Sequence, residues 1–545
     1  MTGFTRDDLA VGLRFLAALP RFLRTPMTLE AMRAEVRGRF AQREARFLDA
    51  TRLALAIPDS PYARLLRHAG CAIDEVAEAS RARGVEGALA MLYRAGVYLN
   101  CDQFKGRRPV VRGSLAFTVD PASLVNPRAS VHGLAETSGS RGARTPVPID
   151  LAFVRDHAVD THLTLEAHGA RDFVHAHHGF PGSTSVTNPL EFAKGGRPPE
   201  RWFTPTRIDA PGLSPRYRWG ARALRAGSIV AGVPLPAATH APLDDPSNVL
   251  RWIAAVLASG RTPHLWGYAS TAVRLCQDAA KAGVDIRGTR FTMGGEPTTA
   301  ARRAVVEASG AVALPRMGAT ETDILAYACA HASAPDDMHF LDDRHALVQP
   351  GPGEEAPGVP RDAMLLTSLL PSAPLRLLNV CLGDRATVST AACGCGLERE
   401  GWRTHVRDVR SFDKLTAGGI TFLDVDVIRV LEETMPAAFG GRPGDWQIVE
   451  RMDGADGRPE VALVVDPAIG PLDLPRVQDA FLDAIGGGDG GERLMELQWR
   501  AAGTLRVVRE APRRTETGKV LHVALARGDP APTRAGPRRA GVGRK

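Results

Sequence analysis

Cysteine is scarce in this sequence, and long apolar segments are absent. Seven cysteines in 545 residues are too few for a disulfide-built scaffold, and their odd number suits a reducing compartment. No window approaches ~20 uninterrupted apolar residues, so a membrane span is not predicted. The N-terminus lacks a basic start, a long apolar run and a small-residue cleavage site, so a signal peptide is not predicted. We therefore expect a soluble cytoplasmic protein.

Lysine is also scarce, because arginine fills almost every basic position. Only six of the 68 basic residues are lysine. These six are Lys105, Lys194, Lys281, Lys414, Lys519 and Lys545. A lysine inside a motif is therefore less often there by chance than in an average protein.

The formal net charge of +7 is concentrated at the C-terminal end of the chain. Residues 527–545 hold six basic residues and one acid, so they carry +5 of the total. This tail is rich in Pro, Gly, Ala and Arg and is predicted to be disordered. The remaining 526 residues are nearly neutral, so we do not expect nucleic-acid binding.

The length and the element pattern predict several domains. A single core rarely exceeds ~300 residues, so 545 residues imply at least two. Residues 1–105 show helical apolar spacing, and 106–409 alternate helical stretches with short apolar runs, which is typical of α/β layering. Residues 410–526 predict the order αββαβ, a small α+β unit, and the tail 527–545 follows. The predicted fold class is therefore α/β, with a small α+β C-terminal domain.

The segment 137–145 (TSGSRGART) concentrates glycine and hydroxyl residues. Glycine brings backbone N–H groups close to an anion, and the hydroxyls and arginines add donors and charge, so the loop suits phosphate. A flexible surface turn is the alternative. The loop lacks the ending of a Walker loop, and it is neither a G-x-G-x-x-G nor a G-x-S-x-G motif.

Other motifs follow this loop in a fixed order. They are Gly294-Gly295-Glu296-Pro297, Arg316-Met317-Gly318-Ala319-Thr320-Glu321, Leu382-Gly383-Asp384, Val409-Arg410-Ser411-Phe412-Asp413-Lys414 and Thr517-Gly518-Lys519. This series resembles the adenylate-forming superfamily of acyl-CoA synthetases, luciferases and peptide-synthetase adenylation domains. It looks most like the phenylacetate-CoA ligase group, over about residues 105–525. The resemblance implies a large multi-subdomain adenylate-forming domain followed by a small mobile C-terminal lid.

The resemblance implies a role for each motif. The loop Thr137, Ser138, Gly139, Ser140, Arg141 and Gly142 would cover the β- and γ-phosphates of ATP. Thr320 would contact the α-phosphate, and Glu321 would bind Mg²⁺, which prefers oxygen ligands. Gly294, Gly295, Glu296 and Met317 would lie near the adenine. Asp384 would accept hydrogen bonds from the ribose diol, and Arg410 would also contact the ribose.

Lys519 is the predicted catalytic residue. In the resembling family, the lysine at this place bridges the carboxylate and the phosphate oxygens during adenylation. Asp413 is the expected hinge of the lid, and Lys414 either enters the second half-reaction or is a surface lysine. Three departures from the family pattern, Arg141, Met317 and Thr145, leave open a non-catalytic nucleotide- or acyl-binding homologue.

A zinc site is a further hypothesis. Cys329, His339, Cys393 and Cys395 supply three thiolates and one imidazole, a closed tetrahedral set suited to structural zinc. Some phenylacetate-ligase-like proteins carry a comparable set. His331 competes as the fourth ligand, and unrelated reduced cysteines are the alternative reading.

The sequence is thus interpreted as an ATP- and Mg²⁺-dependent ligase that joins a small carboxylic acid to coenzyme A. Transfer to a carrier-protein thiol or an amine is the alternative second half-reaction. The identity of the acid is not readable. The expected pocket walls are residues 175–180, 264–270 and 292–296, which include the histidines of the HAHHGF run.

Overall fold

The computed structural model describes most of the chain. The described residues are 6–57, 59–136, 146–182, 184–211, 213, 215–243, 245–411, 427, 430–441, 444–451, 460–487, 491–513 and 523–526.

The α-helices are amphipathic or buried segments, and some of them have recognisable caps. In chain order they are α1 (Arg6–Arg24), α2 (Leu29–Ala41), α3 (Arg43–Ala56), α4 (Pro61–His68), α5 (Ile73–Arg94), α6 (Cys101–Phe104), α7 (Leu151–Ala167), α8 (Thr184–Lys194), α9 (Pro215–Val230), α10 (Ser247–Ala258), α11 (Ala269–Ala282), α12 (Ala300–Ala308), α13 (Gly396–Glu400), α14 (Met435–Phe439), α15 (Leu474–Ile485) and α16 (Gly491–Ala502). The Thr28 hydroxyl caps α2 by accepting from Ala31 N, and Gly283 ends α11 in the left-handed region at φ 66°.

The strands are short and mostly buried. In chain order they are β1 (Val110–Arg112), β2 (Leu115–Phe117), β3 (Gly133–Glu136), β4 (Pro146–Ile149), β5 (Phe173–His178), β6 (Arg201–Thr204), β7 (Ala238–His240), β8 (Thr262–Tyr268), β9 (Arg290–Gly294), β10 (Val312–Ala319), β11 (Asp323–Ala328), β12 (Met338–Phe340), β13 (His345–Val348), β14 (Ala363–Ser368), β15 (Val380–Thr390), β16 (Thr404–Ser411), β17 (Trp446–Arg451), β18 (Glu460–Val465), β19 (Leu505–Arg509) and β20 (Val523–Ala526).

A 12-stranded sheet forms the centre of the molecule, and its strand pairing changes from parallel to antiparallel at β10. Its order is β13-β14-β15-β16-β12-β11-β10-β9-β8-β5-β6-β7. Strands β5 to β10 on one side pair in parallel, as crossover helices require. From β10 to β13 the pairing is antiparallel. The carboxyl end of β10 therefore lies where the two halves meet, a place where α/β proteins bind ligands.

The N-terminal helices are part of this body rather than a separate appendage. Arg39 of α2 is fully buried, and its Nη1 donates to Asp160 of α7 at 2.9 Å and to Asp343 at 3.3 Å. Side chains of α3 to α5 enter the same apolar core as those of β13 to β15. The described elements up to Phe104 are helices, and the predicted domain boundary at residue 105 stays a prediction.

The C-terminal unit is a four-stranded sheet with helices packed on it. Its order is β19-β18-β17-β20, with β17 and β18 antiparallel and the outer pairs parallel. Trp446, Phe481 and Trp499 form its own apolar core. In chain order its described elements are α14, β17, β18, α15, α16, β19 and β20, so helix α16 and strand β20 are additional to the predicted elements. Within the described residues, no helix is both long and apolar enough to cross a membrane.

Candidate functional site

The turn after β10 carries two of the predicted site residues. Strand β10 ends at Ala319, and β11 begins at Asp323, so Thr320 and Glu321 stand in the tight turn between them. Thr320 is exposed, whereas Glu321 is buried at 5% exposure. A bulge at Met317 and Gly318 precedes the turn. The turn therefore presents one hydroxyl to solvent and holds one carboxylate inside the protein.

Lys105 is the partner of Glu321 and is absent from the predicted site. The Lys105 ammonium, itself 4% exposed, lies 3.9 Å from Glu321 Oε1. It follows helix α6, whose first residue, Cys101, donates through Sγ to Leu382 O at 3.8 Å. Four helical residues rise only ~6 Å. Helix α6 therefore brings Glu321 close to the strand that carries Asp384, two residues after Leu382.

Asp384 and Arg410 lie on paired strands. In the β15–β16 register, Asp384 stands opposite Ser411, and Arg385 stands opposite Arg410. Arg410 Nη1 donates to Asp336 Oδ2 at 3.2 Å, which ties the arginine to the body of the sheet. The two residues are therefore on neighbouring strands but one pairing position apart, and the register does not place their side chains opposite each other. Their role stays a prediction.

The Gly294-Gly295-Glu296 segment follows β9 directly. The Glu296 carboxylate accepts from Ser270 N and from Ser270 Oγ, both at 2.9 Å, and pairs with Arg302 at 3.1 Å. The Glu296 carboxylate therefore anchors this segment to α11 and α12. Met317, 8% exposed, belongs to the apolar core that also contains Leu382. Its predicted packing against adenine stays a prediction.

Several predicted residues lie outside the described residues. They are Thr137, Ser138, Gly139, Ser140, Arg141, Gly142, Thr145, Asp413, Lys414 and Lys519.

The predicted pocket walls are neighbouring strands of the parallel half-sheet. Residues 173–178, 262–268 and 290–294 form β5, β8 and β9, which are adjacent in the sheet order. His175 and His177 lie on one face of β5, and His178 lies on the other because strand side chains alternate. All three histidines are buried.

Burial keeps the pocket histidines neutral. It lowers the pKa of His177 to about 3, with a further contribution from His178 and Arg316, and it lowers the pKa of His264 to about 3. His175 Nδ1 and His264 Nδ1 share a hydrogen bond of 2.9 Å. These side chains therefore provide uncharged donors and acceptors.

Arg316 also lies on this face of the half-sheet, and it was not among the predicted site residues. Its Cζ lies 4.4 Å from the centre of the Trp266 ring, and burial lowers its pKa. Its place directly before Met317, within a strand that is otherwise apolar up to that point, was the available signal.

The four predicted zinc ligands lie together in the structure. His339 Nε2 is 3.1 Å from Cys395 Sγ and 3.5 Å from Cys393 Sγ. Hydrogen bonding between Cys329 and Cys395 lowers the pKa of Cys395 to about 2 and raises the pKa of Cys329. His339 Nδ1 donates to Trp402 O at 2.8 Å, so its Nε2 lone pair faces the sulfurs.

His405 joins this cluster and is absent from the predicted set. One ligand atom each from Cys329, His339, Cys393 and His405 lies within 4.8 Å of the others. His405 Nδ1 donates to Asp337 at 2.7 Å, and its buried Nε2 has no hydrogen-bond partner. The pairing of His339 with His405 across β12 and β16 brings it there, which no local spacing reveals.

The competing ligand His331 lies outside that group. It is exposed, and its Nδ1 is hydrogen-bonded to the Cys393 carbonyl at 2.8 Å. It therefore borders the cluster through the backbone and does not complete it.

The chain was compared with known proteins. No family model matches the sequence, and no curated protein matches it. Among solved structures, it is similar to a 2-hydroxyisobutyryl-CoA ligase in complex with 2-HIB-AMP and CoA in the thioesterification state. That similarity has a TM-score of 0.53 and 16% identity, and it covers 90% of each chain.

Two further structures are similar at lower TM-scores. An open conformation of the same ligase gives 0.42 at 16% identity, over 92% of this chain and 93% of that chain. An o-succinylbenzoate CoA synthetase from Bacillus subtilis gives 0.40 at 13% identity, over 75% and 72%. The prediction of an α/β fold is confirmed, and the first comparison shows that the chain shares the fold of that 2-hydroxyisobutyryl-CoA ligase.

Proposed function

We propose that this chain is an AMP-forming ligase that joins a carboxylic acid to the α-phosphate of ATP and transfers the acyl group to coenzyme A. The observation that carries the proposal is the bridge made by helix α6. It contacts β15 just before Asp384 and, through Lys105, reaches Glu321. Helix α6 thereby links two motifs that are 63 residues apart in sequence, the Thr320-Glu321 turn at the end of β10 and Asp384 on β15.

The residues of the candidate site are suited to binding two anions, a carboxylate and a phosphate, next to each other. Joining a carboxylate to a phosphate requires donors and positive charge aimed at the developing negative charge. Thr320 offers an exposed hydroxyl, and Glu321 would hold Mg²⁺, which neutralises charge on phosphate oxygens. A buried carboxylate beside a tight turn fits this ion. Asp384 and Arg410 would hold the ribose, and the glycine-rich loop 137–142 would cover the β- and γ-phosphates.

Lys519 is the proposed catalytic residue of the first half-reaction, bridging the carboxylate and the phosphate. The test is acid-dependent ATP–pyrophosphate exchange over aryl, arylacetic and fatty acids. We expect Lys519→Ala to abolish exchange and Lys281→Ala, an exposed lysine paired with Asp278, to leave it unchanged. Exchange at the normal rate in Lys519→Ala would refute this assignment, and no exchange with any acid would favour a nucleotide- or acyl-binding homologue.

Coenzyme A is the proposed acceptor, because the similar ligase with a TM-score of 0.53 is described with CoA in its thioesterification state. Likeness to the phenylacetate-CoA ligase group stays a prediction from the motifs. Product analysis with and without coenzyme A tests the acceptor. A product formed equally well without it, in the presence of an amine or a carrier protein, would point to the alternative.

We also propose that the cluster of Cys329, His339, Cys393, Cys395 and His405 holds one structural zinc ion. Its donors are thiolates and imidazoles, the ligands that zinc prefers, and both imidazoles are oriented by a second hydrogen bond. The buried, unpartnered Nε2 of His405 fits a metal as its missing partner. These five residues offer more than the four ligands that a structural zinc ion takes, so no position would stay open, and the ion would stabilise the β12–β16 pair and take no part in the reaction.

A further inference from the structure

Arg316 places a guanidinium on the face of the half-sheet that leads to the candidate site. Its side chain crosses β9 at Gly294, where an added Cβ would approach its Cγ and Cζ to 2.8 Å. It ends over the indole ring of Trp266 on β8. The absence of a side chain at Gly294 is therefore what makes room for this cation.

This guanidinium has no counter-ion among the described residues. Arg316 forms no hydrogen bond or ion pair with any of them, and its Nε is buried without a partner. Two acids, Asp323 and Glu191, act on it only through longer-range attraction. Burial raises the pKa of Glu191 well above its usual value, so this group tends to be neutral. An arginine placed inside a protein without a partner is costly unless a ligand supplies one.

The side chains around Arg316 indicate which kind of ligand would fit there. Trp266, Tyr268 and His177 lie on the same sheet face and offer flat, uncharged walls. Arginine is the residue best suited to bind a planar oxyanion through two parallel hydrogen bonds. A ligand with an apolar or aromatic body and an anionic end fits this arrangement.

The position of Arg316 sets which end of the ligand it meets. Arg316 precedes the end of β10 at Ala319 by three residues, or roughly 10 Å of strand. The Thr320-Glu321 turn, where the proposed adenylation takes place, lies beyond that end. Arg316 therefore sits deeper than the reacting carboxylate and would meet the opposite end of the acid.

We propose that Arg316 determines specificity by binding a second oxyanion at the distal end of the acid, so that the substrate class is the dicarboxylic acids. This inference rests on the proposed ligase function. It predicts that a free acid lacking the distal charge leaves the guanidinium unpaired and binds poorly.

The test compares matched acids in ATP–pyrophosphate exchange. The pairs are hexanoate with adipate and phenylacetate with 4-carboxyphenylacetate, and the proteins are the wild type, Arg316→Met and Arg316→Lys. We expect the wild type to have a KM at least tenfold lower for each dicarboxylate. Arg316→Met should raise the KM of the dicarboxylates about 100-fold, on the scale of a broken buried charge pair, and change kcat little. Arg316→Lys should recover part of the loss.

The experiment tests the inference about Arg316 and the proposed ligase function by separate readouts. Exchange with any acid supports the ligase, and the ratio between paired acids tests Arg316. A wild-type preference for monocarboxylates, or equal loss of kcat for both members of a pair in Arg316→Met, overturns the inference. The second result would place Arg316 at the reacting carboxylate. Arg287→Met, which removes an exposed arginine paired with Asp285, is the matched control and should change neither ratio nor rate. Melting curves of all variants show whether they are folded.

Discussion

Replacing Arg39 by methionine should destabilise the whole body of the protein. Arg39 lies on α2 with no exposed surface and pairs with Asp156 at 3.3 Å, Asp160 at 2.9 Å and Asp343 at 3.3 Å. Burial lowers its pKa, but the three aspartates together hold it above its usual value. The substitution keeps much of the side-chain volume and removes the charge that these carboxylates share.

The expected loss follows from the burial of the partners. Asp160 and Asp343 have no exposed side-chain surface, so both would remain inside the protein with less compensation. Removing one partner of a buried ion pair typically costs ~3–5 kcal/mol. For a cooperative unit of this size that corresponds to a fall in Tm of roughly 4–8 °C. Arg344, which also pairs with Asp160, keeps the loss from being larger.

Calorimetry or denaturant unfolding measures this loss, and α2 itself offers the control. Arg33 pairs with Glu400 at 2.8 Å, but its side chain is 39% exposed, so Arg33→Met should cost at most about 1 kcal/mol. Adding Asp343→Asn to Arg39→Met should recover part of the stability, because it removes one uncompensated charge. Equal effects of Arg39→Met and Arg33→Met would refute the view that the N-terminal helices are anchored by a buried ion cluster.

Three further predictions concern the site and its surroundings. Purified protein should contain about one zinc per chain by elemental analysis, Cys393→Ser should lower that content below half, and Cys276→Ser, a buried cysteine outside the cluster, should not. In the proposed reaction, Lys105→Met should slow ATP–pyrophosphate exchange at least tenfold, because the buried Glu321 carboxylate loses its neighbouring positive charge; an unchanged rate would contradict this. Stability should fall as the pH drops below about 6.5, since His264 takes up a proton when the chain unfolds but, with a folded pKa of about 3, not while it is folded. Between pH 7 and 5 this one group accounts for about 2 kcal/mol, so melting curves of His264→Asn should depend less steeply on pH than those of the wild type or of a variant of the exposed His68.

The sequence alone was enough for the fold class and for the order of the motifs. Short apolar runs alternating with helical periodicity indicate α/β layering, because a strand buried on both faces is apolar throughout. The ordered series from the glycine-rich loop to Lys519 could be read without any contact information. Strands β17 and β18 and helix α15 of the small C-terminal unit carry apolar patterns that are long enough to be recognised.

Tertiary structure decided which distant residues meet. Lys105 looks like a surface lysine after a short helix, and only the packing of α6 on β15 brings it to Glu321. His405 lies 66 residues after His339 in sequence and joins the zinc cluster through the pairing of β12 with β16. Arg316 crosses the next strand because Gly294 leaves space for its side chain. Local patterns determine which elements form, because they depend on residues a few positions apart. The partners of a side chain depend on strand order and register, which are set by burial across the whole chain.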